Sequence, residues 1–473
     1  MKKLGSWWWF ATCLLFTWQV QAQLDNPLVH YNPTPTETGV ALARDYQTAG
    51  INPANLGIYP RDYDVPLVTF GVAEASGMFF SDALTKEELW PSLLRLRQLT
   101  SDERRDLAQQ FATDGHLMTA SLLPFALCVQ FPKFLGASFS WQERVTGQAV
   151  LSSPFADLLF NGLQSTYLDT LIVDLSGSTF GLTDSAYNYY ELFNGSSIHY
   201  NWLRDYALSA GMPLFTGSVV ALYAGASIKF VQSNAYLNLH FSEDTLTGLA
   251  AFSSLFNIDY ANLTDPDVQL GGRFAPIGKG TAYDVGLTLR LGKSLFVATA
   301  ITDIGKITYT GNLVTISEAL TDTLVNYLGL NYATLFSDFK NIFNAKGLFT
   351  YLPRTSYTTS LPSTLRLGAA WHMSHDVRLA FTMMVPVSES VAYWATPRFS
   401  SSLEMLVTPN LKLSAGVQFD KREVLNIPAG IVLSLTPSGI WQLSMGTGDL
   451  VSLVRQNRPT LSARLALLRF HFR

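Results

Sequence analysis

Cysteine is nearly absent. Of two in the chain, Cys13 falls in an apolar N-terminal stretch and only Cys128 follows it, so no intrachain disulfide is expected after the leader. Cys128 is expected to pack as a small hydrophobe. Charge is sparse as well, at 14% of residues against about a quarter in typical soluble domains, which leaves too little polar surface to coat a water-soluble fold. Past the leader, no run approaches the ~18 consecutive apolar residues of a spanning helix. With a net charge of -4 and no long basic run, nothing points to nucleic acid. Gly-x-Ser-x-Gly, His-Glu-x-x-His and phosphate-loop patterns are all missing, so neither an enzyme nor a cofactor is expected. The histidines are scattered, with His372 and His375 across a tight turn rather than on one helix face, and no metal site is expected. Asp259, Asp265 and Asp267 read as a solvated loop rather than a calcium site.

What the chain does have is apolar and aromatic surface: 13% aromatics and a mean hydropathy of +0.17. From residue 363 onward this surface is laid out with the period of a strand. Leu365, Leu367, Ala369 and Trp371 alternate with Arg366, Gly368, Ala370 and His372, and after a short polar connection Val377, Leu379, Phe381, Met383 and Val385 do the same. Leu403, Met405 and Val407 pair across Pro409-Asn410 with Leu411, Leu413, Ala415, Val417 and Phe419; Ile427 to Leu435 pairs with Trp441, Leu443 and Met445. Each run is about nine to eleven residues, the length of a tilted strand crossing a bilayer. A soluble sandwich would carry many Lys and Glu on its second face. Here that face is mostly Gly, Ser, Thr and Ala with scattered Arg, which suits a lumen.

Reading from the start, Met1-Lys2-Lys3, the apolar stretch Trp7 to Trp18 and Val20-Gln21-Ala22 make residues 1–22 a secretory signal peptide. Residues 23–63 are irregular, with Pro27, Pro33, Pro35, Pro53 and Pro60, and are expected to form a plug or periplasmic segment. Residues 64–473 are expected to form the barrel. Its first strand is Asp64 to Gly71, shortened by Pro66. Thr85 with Glu88 and Thr100 with Glu103 are capping boxes that predict two short helices. Further pairs are Leu122–Phe131 with Phe134–Arg144, Ser196–Ser209 with Gly217–Val231 around Gly211-Met212-Pro213, and Tyr283–Leu291 with Leu295–Ile301. Leu168 to Leu175 is open between helix, loop and an extra strand. In the terminal run Leu461–Arg473, Leu467-Leu468 breaks the alternation, which predicts a bulge.

The turn Asn52-Pro53-Ala54, placed between leader and barrel, resembles the FadL family of outer-membrane long-chain fatty acid transporters and is similar to the PorV-type barrels of type IX secretion. Tyr283-Asp284-Val285-Gly286, Thr302-Asp303-Ile304-Gly305 and Leu361 to Gly368 resemble an uncharacterised family of such barrels. The resemblance implies an outer-membrane protein of a Gram-negative bacterium, in contact with outer-membrane lipid.

The fold class is therefore all-β, an antiparallel transmembrane β-barrel of about 14 strands with an N-terminal plug and helical insertions in long outer loops. Short turns fall on one side and long connections on the other, and an even strand number puts both termini in the periplasm. Parity directs Arg290, Arg366, Arg378, Glu404 and Lys412 into the lumen, where the three Arg either anchor a carboxylate or phosphate or tie plug to wall. In the loop Gly305 to Pro362, Leu320, Leu324, Tyr327 and Leu328, then Leu335, Phe339, Ile342 and Phe343, predict amphipathic helices. Two functions stay open: a FadL-like channel for uptake of hydrophobic or amphipathic small molecules, or a PorV-like non-transporting barrel that scaffolds or carries another envelope or secretion protein.

Overall fold

The computed structural model describes residues 39–59, 67–81, 99–112, 115–175, 177–187, 193–242, 245–256, 275–317, 321–325, 350–388, 397–419, 425–436, 440–454 and 460–472. Fourteen strands form the wall: β1 (Leu67–Ser81), β2 (His116–Gln130), β3 (Gly136–Val150), β4 (Ser197–Thr216), β5 (Val220–Ser242), β6 (Gly278–Leu291), β7 (Leu295–Tyr309), β8 (Thr364–His372), β9 (Val377–Pro386), β10 (Arg398–Thr408), β11 (Leu411–Phe419), β12 (Ala429–Ser434), β13 (Trp441–Thr447) and β14 (Thr460–Phe472). Each pairs antiparallel with its neighbours in sequence order, and β14 pairs with β1, so the sheet closes on itself. Closure leaves the wall without an edge, a requirement where no water is present to satisfy the backbone. At the closing seam Phe70 lies opposite Phe470 and the two rings stack 4.8 Å apart.

The alternation read from the sequence is the alternation of exposure. Val285 and Leu287, Phe381, Leu403 and Met405, and Ile431 point outward and are exposed, while the residues between them, among them Asp284, Thr382, Ser402 and Glu404, are buried. Bulky aromatics stand at both margins of this apolar belt. Near the short turns are Phe131, Phe134, Phe215, Trp371 and Trp441. Toward the long connections Trp141 and Trp202 each donate to Glu143, which is paired with Arg204. Aromatic girdles with charge beginning beyond them mark where a wall leaves hydrocarbon for the polar interface.

Several elements differ from expectation. The first strand is Leu67–Ser81, 15 residues, not the short Asp64–Gly71. Its period breaks because Ala73 takes φ +56, beside an inward-facing Glu74. The β4–β5 hairpin turns at residues 217–219 rather than at Gly211-Met212-Pro213, since Pro213 is accommodated at a register shift inside a strand of 20 residues. With β5 at 23 residues, this hairpin is about twice the length a bilayer needs. Thr321–Val325 is a strand, which corrects the helix expected around Leu324. Its partner is Thr179–Tyr187, and Thr170–Val173 completes a separate three-stranded sheet, which resolves that stretch as an extra strand. β-branched residues at alternate positions favour this pairing over a helix. The remaining predicted loop helix (Tyr327 and Leu328, Leu335 to Phe343), the capping box at Thr85, the leader and Asp259, Asp265 and Asp267 lie outside the described residues.

Helix α1 (Ser101–Phe111) begins at the capping box of Thr100 and Glu103. Helix α2 (Ser153–Asn161) opens with Ser152 as its cap and Pro154 in its first turn. In β14 the expected bulge is present: opposite β13 the register shifts between Gln442 and Ser444, leaving Leu467 and Leu468 unmatched.

Candidate functional site

The interior is built in three levels. Nearest the short turns lies the N-terminal segment, residues 39–58, whose Asn52 is fully buried. Pro53 fits the first position of a short 3-10 helix, Pro53–Gly57, and Asn52 caps it by accepting from the Ala54 N–H. The Asn52 amide donates to Thr288 Oγ1 on β6 at 2.9 Å, and Thr288 donates to Asn55 at 2.7 Å. Gln130 on β2 donates to the Leu56 carbonyl at 2.8 Å. Asp45 meets Arg469 on β14 at 3.1 Å, while Tyr46 donates to Glu74 on β1, so both strands of the closing seam are gripped.

The seat for this segment is a row of glycines. Gly136, Gly211, Gly225 and Gly286 are successive cross-strand partners on β3, β4, β5 and β6. A Cβ on any of them would overlap the backbone of Pro53, Ala54 or Leu56, or the Asn52 side chain. Beyond the row, Val40, Ala41 and Leu42 pack on Phe296, Ala298, Ala300, Ala370 and Ala380. The small residues of the inner face are thus the footprint of an occupant. Burial, followed by the like charge of Arg378, lowers the Arg44 pKa to about 10. Arg44 itself lies 5.5 Å over the Phe296 ring and donates to two carbonyls of its own segment.

Above the segment six strands contribute to one buried ionic network. Lys229 on β5 lies 2.8 Å from both Asp284 on β6 and Asp303 on β7. Arg144 on β3 joins Asp205 on β4 at 2.5 Å and Asp303 at 3.3 Å. Arg366 on β8 is buried within electrostatic reach of Asp303 and Asp284. Asp303 is delivered by a bulge: β7 shifts register between Ile301 and Ile304, Asp303 takes φ +60, and its N–H donates to Asp284 at 2.8 Å. Aspartate tolerates that conformation better than most residues.

The third level, toward the long connections, is apolar and aromatic. Tyr236, Tyr309 and Tyr357 cluster, with the first two rings 4.5 Å apart. Phe155 of α2 packs with Phe193 and Phe241, and Phe252 and Phe256 extend the same cluster to the overhanging parts of β4 and β5.

The five charged positions read from parity have different surroundings. Arg366 belongs to the ionic network, and Arg290 donates to the Gly217 carbonyl at 2.9 Å. Arg378 and Lys412 both approach Glu404, at 3.8 and 3.9 Å. Asn52, Pro53 and Ala54 lie on the glycine row. Sequence reasoning missed the row itself, Arg144, Asp205 and Lys229, because their meeting depends on registers between strands far apart in the chain. Asp303 stood inside a quoted phrase, but without a role.

A closed fourteen-stranded wall, an apolar outer belt and a chain segment seated inside define a β-barrel suited to a membrane, with an occupied lumen. The chain belongs to a family of unknown function, DUF5723, whose model matches residues 118–444. No curated protein matches it. Among solved structures, the chain is similar to the Ralstonia pickettii toluene transporter TbuX, at 9% identity over 94% of this chain and 98% of that one, with a TM-score of 0.42. It is also similar to the Pseudomonas putida toluene transporter TodX, at 11% identity over 95% and 99%, TM-score 0.41. A Pseudomonas aeruginosa FadL homologue shows 11% identity over 95% and 97%, TM-score 0.38.

Proposed function

We propose that the protein is an outer-membrane barrel that admits hydrophobic or amphipathic small molecules, with residues 39–58 acting as a plug at the end of the short turns. On this reading residues 1–22 direct export, the short turns and both termini face the periplasm, and the long connections face outward. The observation that carries it is the apolar and aromatic interior of the half toward the long connections, where Tyr236, Tyr309, Phe155, Phe193, Phe241 and Phe252 are buried. A channel for water-soluble solutes needs a continuous polar lumen, whereas an aromatic interior favours an apolar guest. The glycine row and the Asn52–Thr288 bond support the plug, because they close the wall on that segment by shape as well as by polar pairing. No group of three His, Cys, Asp or Glu able to hold a metal occurs among the described residues.

Uptake by cells with an intact outer leaflet tests the reading. A strain expressing the barrel should take up a neutral hydrophobic dye several-fold faster than one lacking it, with sugar entry unchanged. Equal dye uptake in the two strains would contradict the proposal.

A further inference from the structure

Toward the long connections, just above the apolar belt, the outer face of the wall carries cations on one side. Arg204 on β4, Lys279 on β6 and Lys306 on β7 alternate with buried neighbours and point outward. The registers bring them to one level: Arg204 lies opposite Gln232 on β5, Gln232 opposite Lys279, and Lys306 opposite Thr281, two residues on from Lys279. At the same end of β8 to β14 the outward positions, among them Leu365, Val385, Phe399, Val417 and Leu461, are uncharged. Lys279 and Lys306 are exposed, and neither meets a carboxylate among the described residues. The carboxylate beside them, Glu143 on β3, already takes three donors, Trp141, Trp202 and Arg204. That pairing uses the Arg204 Nε and holds the guanidinium 5.9 Å over the Trp141 ring, which leaves its terminal nitrogens to another acceptor. Arg204, Lys279 and Lys306 against Glu143 leave two positive charges in excess. Directly below, toward the short turns, Phe230, Tyr283, Val285 and Ile304 are exposed on the same strands. Cations at the girdle over exposed apolar wall match the polarity of an anionic lipid, charged where hydrocarbon ends and apolar beneath.

We propose that Arg204, Lys279 and Lys306 form a docking site on the outer wall for a membrane lipid that carries two phosphates on one headgroup, with its acyl chains lying down the wall along Phe230, Tyr283 and Ile304. The site rests on the uptake reading for the membrane in which the barrel sits and for the end that faces outward. Spacing selects two phosphates over one. Lys279 and Lys306 are diagonal neighbours on adjacent strands, about 7–8 Å apart, close enough for their long side chains to share one phosphate. Arg204 stands two strands from Lys279, about 10 Å away, with Gln232 between them. Its planar fork donates to a second phosphate in bidentate fashion. Gln232, Thr281 and Thr308, in and beside the same row, supply hydrogen-bonding groups for the headgroup that joins the two. Glu143 positions Arg204, because its two indole donors fix the carboxylate against the wall.

Native mass spectrometry of the full-length protein tests this, with the barrel delipidated in non-ionic detergent and titrated with lipid A in its bisphosphorylated and monophosphorylated forms. The protein should bind the bisphosphorylated form, and the monophosphorylated form about tenfold more weakly. In K279Q/K306Q the bisphosphorylated form should weaken by about tenfold or more, the loss expected when two cations near a charged lipid surface are removed. K133Q/K293Q removes the same charge from the short turns and should bind as the parent does. Heat-modifiable migration of each variant on unheated gels confirms that the barrel has folded. Unchanged binding in K279Q/K306Q, an equal loss in K133Q/K293Q, or equal affinity for the two lipid A forms would overturn the site. Recovery of an envelope protein with the parent but not with K279Q/K306Q, while lipid binding is the same in both, would also overturn it and assign the patch to a protein. If dye uptake persists while the lipid preference is absent, this site alone fails; if the lipid preference persists while dye uptake is absent, the uptake reading alone fails.

Discussion

Gly225 shows most plainly how one residue decides what the lumen holds. It lies in the middle of the row Gly136, Gly211, Gly225 and Gly286, and a side chain there would displace Pro53 and Ala54. Gly225→Leu should dislodge the segment, and a cysteine placed at Ala54 in a Cys128→Ala background should then react faster with a water-soluble maleimide. An unchanged rate would show that the segment is held by other means. Lys229 is the second such residue. Changing it to Met removes the cation that Asp284 and Asp303 share at 2.8 Å, leaving Asp303 with Arg144, and roughly 3–5 kcal/mol of stability should be lost, as for a broken buried ion pair. Denaturant unfolding in detergent measures this. Parity along a strand singled out Arg290, Arg366, Arg378, Glu404 and Lys412, because alternation needs only local sequence. The ionic network was not legible: Arg144 and Lys229 reach Asp303 across registers that no local pattern encodes. The inner face was legible as small, but the cause of its smallness, a segment pressed against it, appears only when the strands are aligned.

At the scale of elements, strands β8, β9, β11 and β12 follow their sequence period closely because no bulge interrupts them, whereas β10 shifts register between Leu406 and Thr408. Elsewhere the departures have local causes: φ +56 at Ala73 in β1, Pro213 in β4 and the bulge at Leu467-Leu468 in β14. A capping box needs only two residues at a fixed spacing, so α1 was legible from Thr100 and Glu103. α2 carries a weaker signal in Ser152 and Pro154 that was not used. The seam β1–β14 is joined on its outer face by Phe70 with Phe470 and on its inner face by Tyr46 with Glu74 and Asp45 with Arg469. Phe70→Ala should therefore cost about 1 kcal/mol, the value of an aromatic cross-strand pair. Asp45→Ala in addition should cost more than it does alone, since a loosened seam transmits each loss to the other. Strict additivity of the two in thermal unfolding would show that the inner and outer contacts act independently.

The whole molecule is a wall with two environments. Outside, apolar side chains form a belt between aromatic girdles; inside, the N-terminal segment, an ionic network and an aromatic cluster follow one another from the short turns to the long connections. The long β4–β5 hairpin carries the aromatic cluster beyond the belt on the side of the long connections. The most direct measurement is spin-label accessibility at consecutive positions from Leu379 to Val385 in β9, in lipid bilayers on a Cys128→Ala background. Labels at Leu379, Phe381, Met383 and Val385 should collide with oxygen dissolved in the bilayer, and labels at Ala380, Thr382 and Met384 should be shielded from it. Accessibility without a two-residue period, or with water-soluble relaxants reaching the outward positions, would contradict the account.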